Sequence, residues 1–169
     1  MSMRRKILAC CCVVMIGAPL QSTARLVPTA GRDAYTLLAN SALTISIDLR
    51  GVEFKPGRPI RGEGLAASMK APVDISFQLL DEGVDFIKSG PEIRIEVRGF
   101  ANEEEGSIAD RIVLSERRAK LVYDYLLAHG VPAHQLVGHK GFGSNMPIDT
   151  EETAEGRQRN SRAELIQLP

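Results

Sequence analysis

Beyond residue 12 this 169-residue sequence has no cysteine; Cys10, Cys11 and Cys12 are all that it contains. The remainder can therefore build neither a disulfide framework nor a thiolate metal site, and it offers no cysteine nucleophile, as suits an oxidising compartment. A membrane-length hydrophobic run is missing too. Ile7 to Leu20 would make a helix of roughly 21 Å at ~1.5 Å per residue, short of the ~30 Å hydrocarbon core. Preceded by Arg4, Arg5 and Lys6 and followed by Ser22-Thr23-Ala24, it reads as an export signal over residues 1–24, cleaved near Ala24, rather than an anchor. Ile7, Leu8 and Ala9 are too few before Cys10 for the apolar segment that a lipid-modified cysteine follows.

A basic excess is also lacking. Without Arg4, Arg5 and Lys6, 18 basic residues face 21 acidic ones, about −3 overall. Nucleic acid is thereby excluded as a partner, because polyphosphate needs a concentrated basic face. About 145 residues then suffice for one domain with a real core. They do not also supply an outer-membrane barrel, whose eight strands of ~9 to 11 residues would consume more than half of them.

Catalytic signatures are equally scarce. No Gly-x-Ser-x-Gly elbow, His-Glu-x-x-His pair or phosphate loop occurs. His129, His134 and His139 recur every five residues, which does not align two ligands on one helical face as i, i+4 spacing would. Glu151 and Glu152 sit in a polar stretch with no apolar surroundings to raise a pKa for acid–base work. Tyr123 and Tyr125 read as core and surface positions of one helix, not as a sugar platform. No enzyme, cofactor or metal site is expected.

What is present is strong alternation. Leu43, Ile45, Ile47 and Leu49 alternate with polar residues as a half-buried strand; Gly51 breaks it, and Val52 to Phe54 continue it. Before it, Leu26 to Arg32 is loose and Asp33 to Asn40 forms a short helix. Lys55 to Pro72 is punctuated by glycine and proline and reads as a long irregular loop. Phe77, Leu80, Val84 and Ile87 then recur at helical spacing, predicting a helix over Val73 to Ser89 with Asp74 as N-cap and Gly90-Pro91 as the stop. Ile93, Ile95 and Val97 mark a strand ending at Gly99. A polar loop, Phe100 to Val113, carries Glu103, Glu104 and Glu105. A helix from Ser115 to about His129 follows, with Ala119, Val122, Tyr123 and Leu126 inward. Strands at Leu136 to Lys140 and Arg162 to Leu168 flank a Gly141-Phe142-Gly143 turn, Pro147, an acidic loop and a short helix over Thr153 to Arg159. The order implies an α/β chain, an α+β sandwich with helices packed on a mixed sheet. Its expected division is a leader at 1–24, an N-terminal extension at 25–51, and a domain at 52–169 with a long loop at 55–72.

Within that pattern Leu114-Ser115-Glu116-Arg117-Arg118-Ala119 stands out. With Ser115 as N-cap, Arg118 would occupy the N3 position, where a capping box wants Glu or Gln and where the helix dipole disfavours a cation by about 0.3 to 1 kcal/mol. The misplaced guanidinium suggests a site in which Arg118 and backbone donors converge on an external carboxylate.

Four segments, in order and at fitting spacing, then resemble the OmpA-like peptidoglycan-binding domain, the C-terminal module shared by outer-membrane protein A, peptidoglycan-associated lipoprotein and the flagellar stator protein. Ile93 to Asn102 stands where the family has a strand and Gly-His-Thr-Asp. Leu114 to Ala119 matches Leu-Ser-x-x-Arg-Ala. Gly141-Phe142-Gly143 with Pro147 matches Gly-x-Gly and its following proline, and Gly156-Arg157 with Asn160-Ser161-Arg162 matches Gly-Arg and Asn-Arg-Arg. The resemblance spans Ile93 to Leu168. It implies a βαβαβ-type mixed sheet and non-catalytic binding of the peptidoglycan stem peptide. Arg118 would take a carboxylate of diaminopimelate, the residue-102 turn its ammonium, and Asn160 and Arg162 would shape the same pocket; Ser115 and Glu103 complete the expected ligand-binding set.

Departures bear on that site. Asn102 replaces the ligand-pairing aspartate, Phe100 and Ala101 the usual His and Thr, Arg111 an expected Asn, and Ser161 the first of two arginines. The loop from Asn102 to Arg118 is one residue longer. Losing a charge-assisted bond for a neutral one implies roughly tenfold weaker binding, unless Glu103, Glu104 or Glu105 replaces the missing charge. Two functions therefore stay open: a wall-binding module of the periplasm, cell envelope or outer membrane, or a protein-interaction module within an envelope assembly that kept the fold and abandoned the ligand.

Overall fold

In a computed structural model of the chain, residues 46–47 and 52–169 are described. Four strands form one sheet in the order β1-β4-β2-β3, with β1 at Ser46–Ile47, β2 at Arg94–Gly99, β3 at Leu136–Gly141 and β4 at Ala163–Leu168. β4 runs antiparallel to both β1 and β2, while β3 lies parallel to β2. A parallel pair needs a crossover, and helix α3, Ile108–Ala128, supplies it. Among the described residues the other α-helices are α1 at Leu65–Ser68, α2 at Val73–Ser89 and α4 at Ala154–Asn160.

The period-two reading of β2 holds because Ile95 and Val97 are fully buried on one face. Leu165 and Ala163 of β4 extend that face, and Leu80, Val84 and Ile87 of α2 and Ala119, Val122 and Leu126 of α3 join it in one core with Val52, Phe54 and Met69. Truncating a buried leucine such as Leu126 to alanine costs roughly 2–5 kcal/mol. Gln135, also buried, directs its side-chain amide at the carbonyls of Ile87, Gly90 and Ile93, tying the end of α2 to the start of β2.

Two starts differ from expectation. Pro72, not Asp74, holds the N-cap position of α2; Asp74 lies inside the first turn, where its charge still suits the dipole. The stretch 108–113 is helical rather than loop, because Ser107 caps α3 by accepting from the Asp110 N–H while Asp110 accepts from the Ser107 N–H. The capping box was hidden by aspartate at N3 in place of Glu or Gln, and by apolar side chains that face outward, Ile108 at 72% and Val113 at 49% exposure. Ser115 therefore caps nothing, and Arg118 lies mid-helix, beyond reach of the dipole argument.

Phe54 and Glu53 bridge to Met69 and Arg162, and the long loop after them contains α1. The expected leader, the loose segment Leu26 to Arg32 and the short helix Asp33 to Asn40 lie outside the described residues, as does the strand at Leu43 to Leu49 except for Ser46–Ile47. Among the described residues no helix is long and apolar enough to cross a membrane.

Candidate functional site

The ends of the parallel strands β2 and β3 meet the middle of α3 at two glycines. A Cβ on Gly99 would stand 2.0 Å from the Ser115 carbonyl oxygen, and one on Gly141 would stand 2.4 Å from the Glu116 nitrogen. Bare backbone at both positions lets the helix approach the strand ends. Ser115 uses that proximity: its hydroxyl donates to the Ile112 carbonyl and accepts from the Gly143 N–H at 2.9 Å, fastening the Gly141-Phe142-Gly143 turn. Glu116 does likewise, accepting from the Gly141 N–H and pairing with His139 at 2.6 Å.

One turn further along α3, Arg118 is completely buried, and its five N–H donors are all engaged. Nε donates to the Arg58 carbonyl at 2.8 Å, and the terminal nitrogens reach the carbonyls of Phe100 at 2.8 Å and Lys55 at 3.4 Å. The remaining two donors grip the Glu105 carboxylate in a two-pronged pair at 2.6 and 2.8 Å. The guanidinium also lies 5.3 Å from the centre of the Phe54 ring.

The Glu105 side chain is nearly as enclosed, with 3% of it exposed. Its carboxylate further accepts from the Gly57 N–H at 2.8 Å, the Asn102 N–H at 3.0 Å and the Ser161 hydroxyl at 2.9 Å. Burial alone would raise its pKa, yet the Arg118 hydrogen bonds and charge, with the Gly57 and Asn102 N–H groups, hold it below the ordinary carboxylate value. The arrangement is a built carboxylate-binding site with a carboxylate already in it.

Asn102 lines this site from the side. Its amide nitrogen donates to Ser161 Oγ at 2.9 Å and its oxygen accepts from the Glu104 N–H at 2.8 Å, so both ends are engaged within the loop. Arg162, also buried, lies over the Phe100 ring at 4.0 Å and donates to Glu164 at 2.6 Å and to the Met146 carbonyl at 3.1 Å. Phe100 thus carries Arg162 on its ring and Arg118 on its carbonyl. Asn160 faces the second acidic loop instead, accepting from the N–H groups of Ile148 and Asp149 and donating to Glu151 at 2.6 Å. Glu103 is exposed, and its carbonyl receives Arg111 at 2.6 Å. Glu104 pairs with Arg157 at 3.0 Å across the surface.

Of the residues expected at the site, the structure brings Arg118 and Asn102 together through Glu105 and Ser161. Arg162 is one ring away; Asn160, Ser115 and Glu103 work on neighbouring turns. Sequence reading left the acidic partner open among Glu103, Glu104 and Glu105, and it missed the Lys55–Arg58 strap altogether. The extra loop residue was the available signal for Glu105.

The sequence profile of the OmpA family matches residues 76–161. Peptidoglycan-binding protein ArfA of Mycobacterium tuberculosis is 37% identical over 110 residues, which cover 65% of this chain and 32% of ArfA. Outer membrane protein A of Bordetella avium is 42% identical over 60 residues, 36% of this chain and 30% of that protein. The chain thus matches about a third of the length of these relatives. Among solved structures, the peptidoglycan-associated lipoprotein from Burkholderia pseudomallei superposes with a TM-score of 0.55 at 23% identity, covering 69% of this chain and 88% of that one. The C-terminal domain of Helicobacter pylori MotB gives 0.57 at 21% identity, covering 70% and 83%. At such identities these two establish the shared mixed-sheet fold.

Proposed function

This chain belongs to the OmpA family, and on that premise we propose that it is a non-catalytic cell-envelope module that attaches to peptidoglycan through the stem peptide. Arg118 takes a carboxylate of diaminopimelate, and the acceptor oxygen of Asn102 meets the ammonium, more weakly than an aspartate would. Asn160 and Arg162 hold the surrounding turns, Ser115 fixes the Gly141 turn beside them, and Glu103 adds negative charge at the rim. Export through the residue 1–24 leader would deliver the protein to the periplasm or outer-membrane surface, and residues 25–51 would form an extension to the domain at 52–169. The observation that carries the proposal is the Arg118 fork, which grips a carboxylate from two sides with three more donors converging on it.

The test is co-sedimentation of the full chain with purified sacculi beside Arg118→Ala, and beside the paired substitution Arg118→Met with Glu105→Leu, which removes both charges and leaves no ion unpaired. Wild type should pellet with sacculi and both variants should lose at least tenfold in bound fraction, with circular dichroism confirming the fold. Equal sedimentation of all three would instead favour the second reading, a protein-docking module of an envelope assembly. That reading draws its support from Arg118 being fully buried and internally satisfied.

A further inference from the structure

The carboxylate site around Arg118 is closed by the chain's own backbone and side chains. Glu105 fills the fork, and the Lys55–Arg58 strap holds both members of the pair: the Lys55 and Arg58 carbonyls accept from Arg118 while the Gly57 N–H donates to Glu105. Ser161 and the Asn102 N–H secure the other Glu105 oxygen. An outside carboxylate therefore finds no free donor on Arg118 and no solvent path to it, since the guanidinium is completely buried and the glutamate is 3% exposed.

We infer that Glu105 is an internal ligand: a tethered carboxylate that occupies the Arg118 site in cis, with the Lys55–Arg58 strap as its clamp, so that external carboxylates bind by displacing it. This rests on Arg118 as the carboxylate-holding residue of the proposed function, but not on which outside molecule it meets. A tethered group competes at an effective concentration of millimolar or above, and apparent affinity falls in proportion to the open fraction. Removing the internal ligand raises affinity for a small carboxylate. The Arg118 hydrogen bonds and charge, with the Gly57 and Asn102 N–H groups, hold the Glu105 pKa below its ordinary value, so the internal ligand carries its charge at neutral pH.

The experiment titrates sodium acetate, against sodium chloride at equal ionic strength, into the full chain while following the Arg118 Nε–H signal by NMR. Glu105→Ala should give a saturable, acetate-specific shift at a midpoint at least tenfold below any wild-type response, and Glu105→Gln, which keeps the shape but not the charge, should fall between. If Glu105→Ala is unfolded in chloride, acetate-dependent recovery of its folded amide spectrum supports the inference equally. Absence of recovery leaves the decision to Glu105→Gln, and a folded Glu105→Gln protein no more acetate-responsive than wild type overturns it. Acetate binding by the variants without attachment of any form to sacculi would sink the peptidoglycan reading and leave the internal ligand standing. Strong wild-type attachment to sacculi that Glu105→Gln leaves unchanged, with no acetate response, would do the reverse.

Discussion

Arg118 and Arg162 are both buried, and they solve the problem of an enclosed cation in opposite ways. Arg162 takes its carboxylate from Glu164, two residues along the same chain segment, and Glu164 keeps 14% of its side chain exposed. Arg118 takes its carboxylate from a loop, and two of its three carbonyl partners from a strap some 60 residues earlier. A local pair survives any rearrangement of distant segments. The long-range pair depends on three segments arriving together. If Glu105 is an internal ligand, the difference separates a structural arginine from one that exchanges partners.

The sharpest way to break that comparison is to truncate each arginine. Arg118→Ala leaves the Glu105 carboxylate enclosed and unpaired, and should cost roughly 3–5 kcal/mol in denaturant unfolding. Arg162→Ala should cost less, about 1–3 kcal/mol, because Glu164 is partly in water already. Equal losses would mean that the two sites are equally structural.

Acid sharpens it next. The folded-state pKa of Glu105 is depressed, so its contribution is fully present above the unfolded value of about 4.3 and is lost as pH falls through the lowered folded value. The stability gap between wild type and Glu105→Gln should stay constant from neutral pH down to about pH 5 and shrink below about 4.3. A gap unchanged from neutral pH down to pH 3 would show that folding does not depress the Glu105 pKa.

The smallest effect is expected from Ser107→Ala. Losing that cap should cost about 0.5–2 kcal/mol, and hydrogen exchange should rise through the Asn102–Gly106 loop and the first turns of α3 while β4 and Arg162 stay protected. A uniform rise would tie both arginines to the same local unit.

The sheet was legible because its alternation is uninterrupted: Ile93, Ile95 and Val97 need no tertiary partner to announce a strand. The extent of α3 was not, since Ile108 and Val113 point away from the core and carry no inward period. Arg118 was singled out because a cation seemed misplaced at a helix start. The structure removes that dipole argument: Arg118 sits in mid-helix, and what answers its charge is Glu105. Ser115 was read as a cap and is instead a fastener between helix and turn. The strap over Arg118 could not be read locally, because nothing in Lys55 to Arg58 signals carbonyls aimed at a residue 60 positions away.

The bare backbone at Gly99 limits how this scaffold can be re-engineered. A methyl group there would strike the Ser115 carbonyl and lift α3 off the strand just before Arg118. The rail on which the helix rests therefore tolerates no decoration.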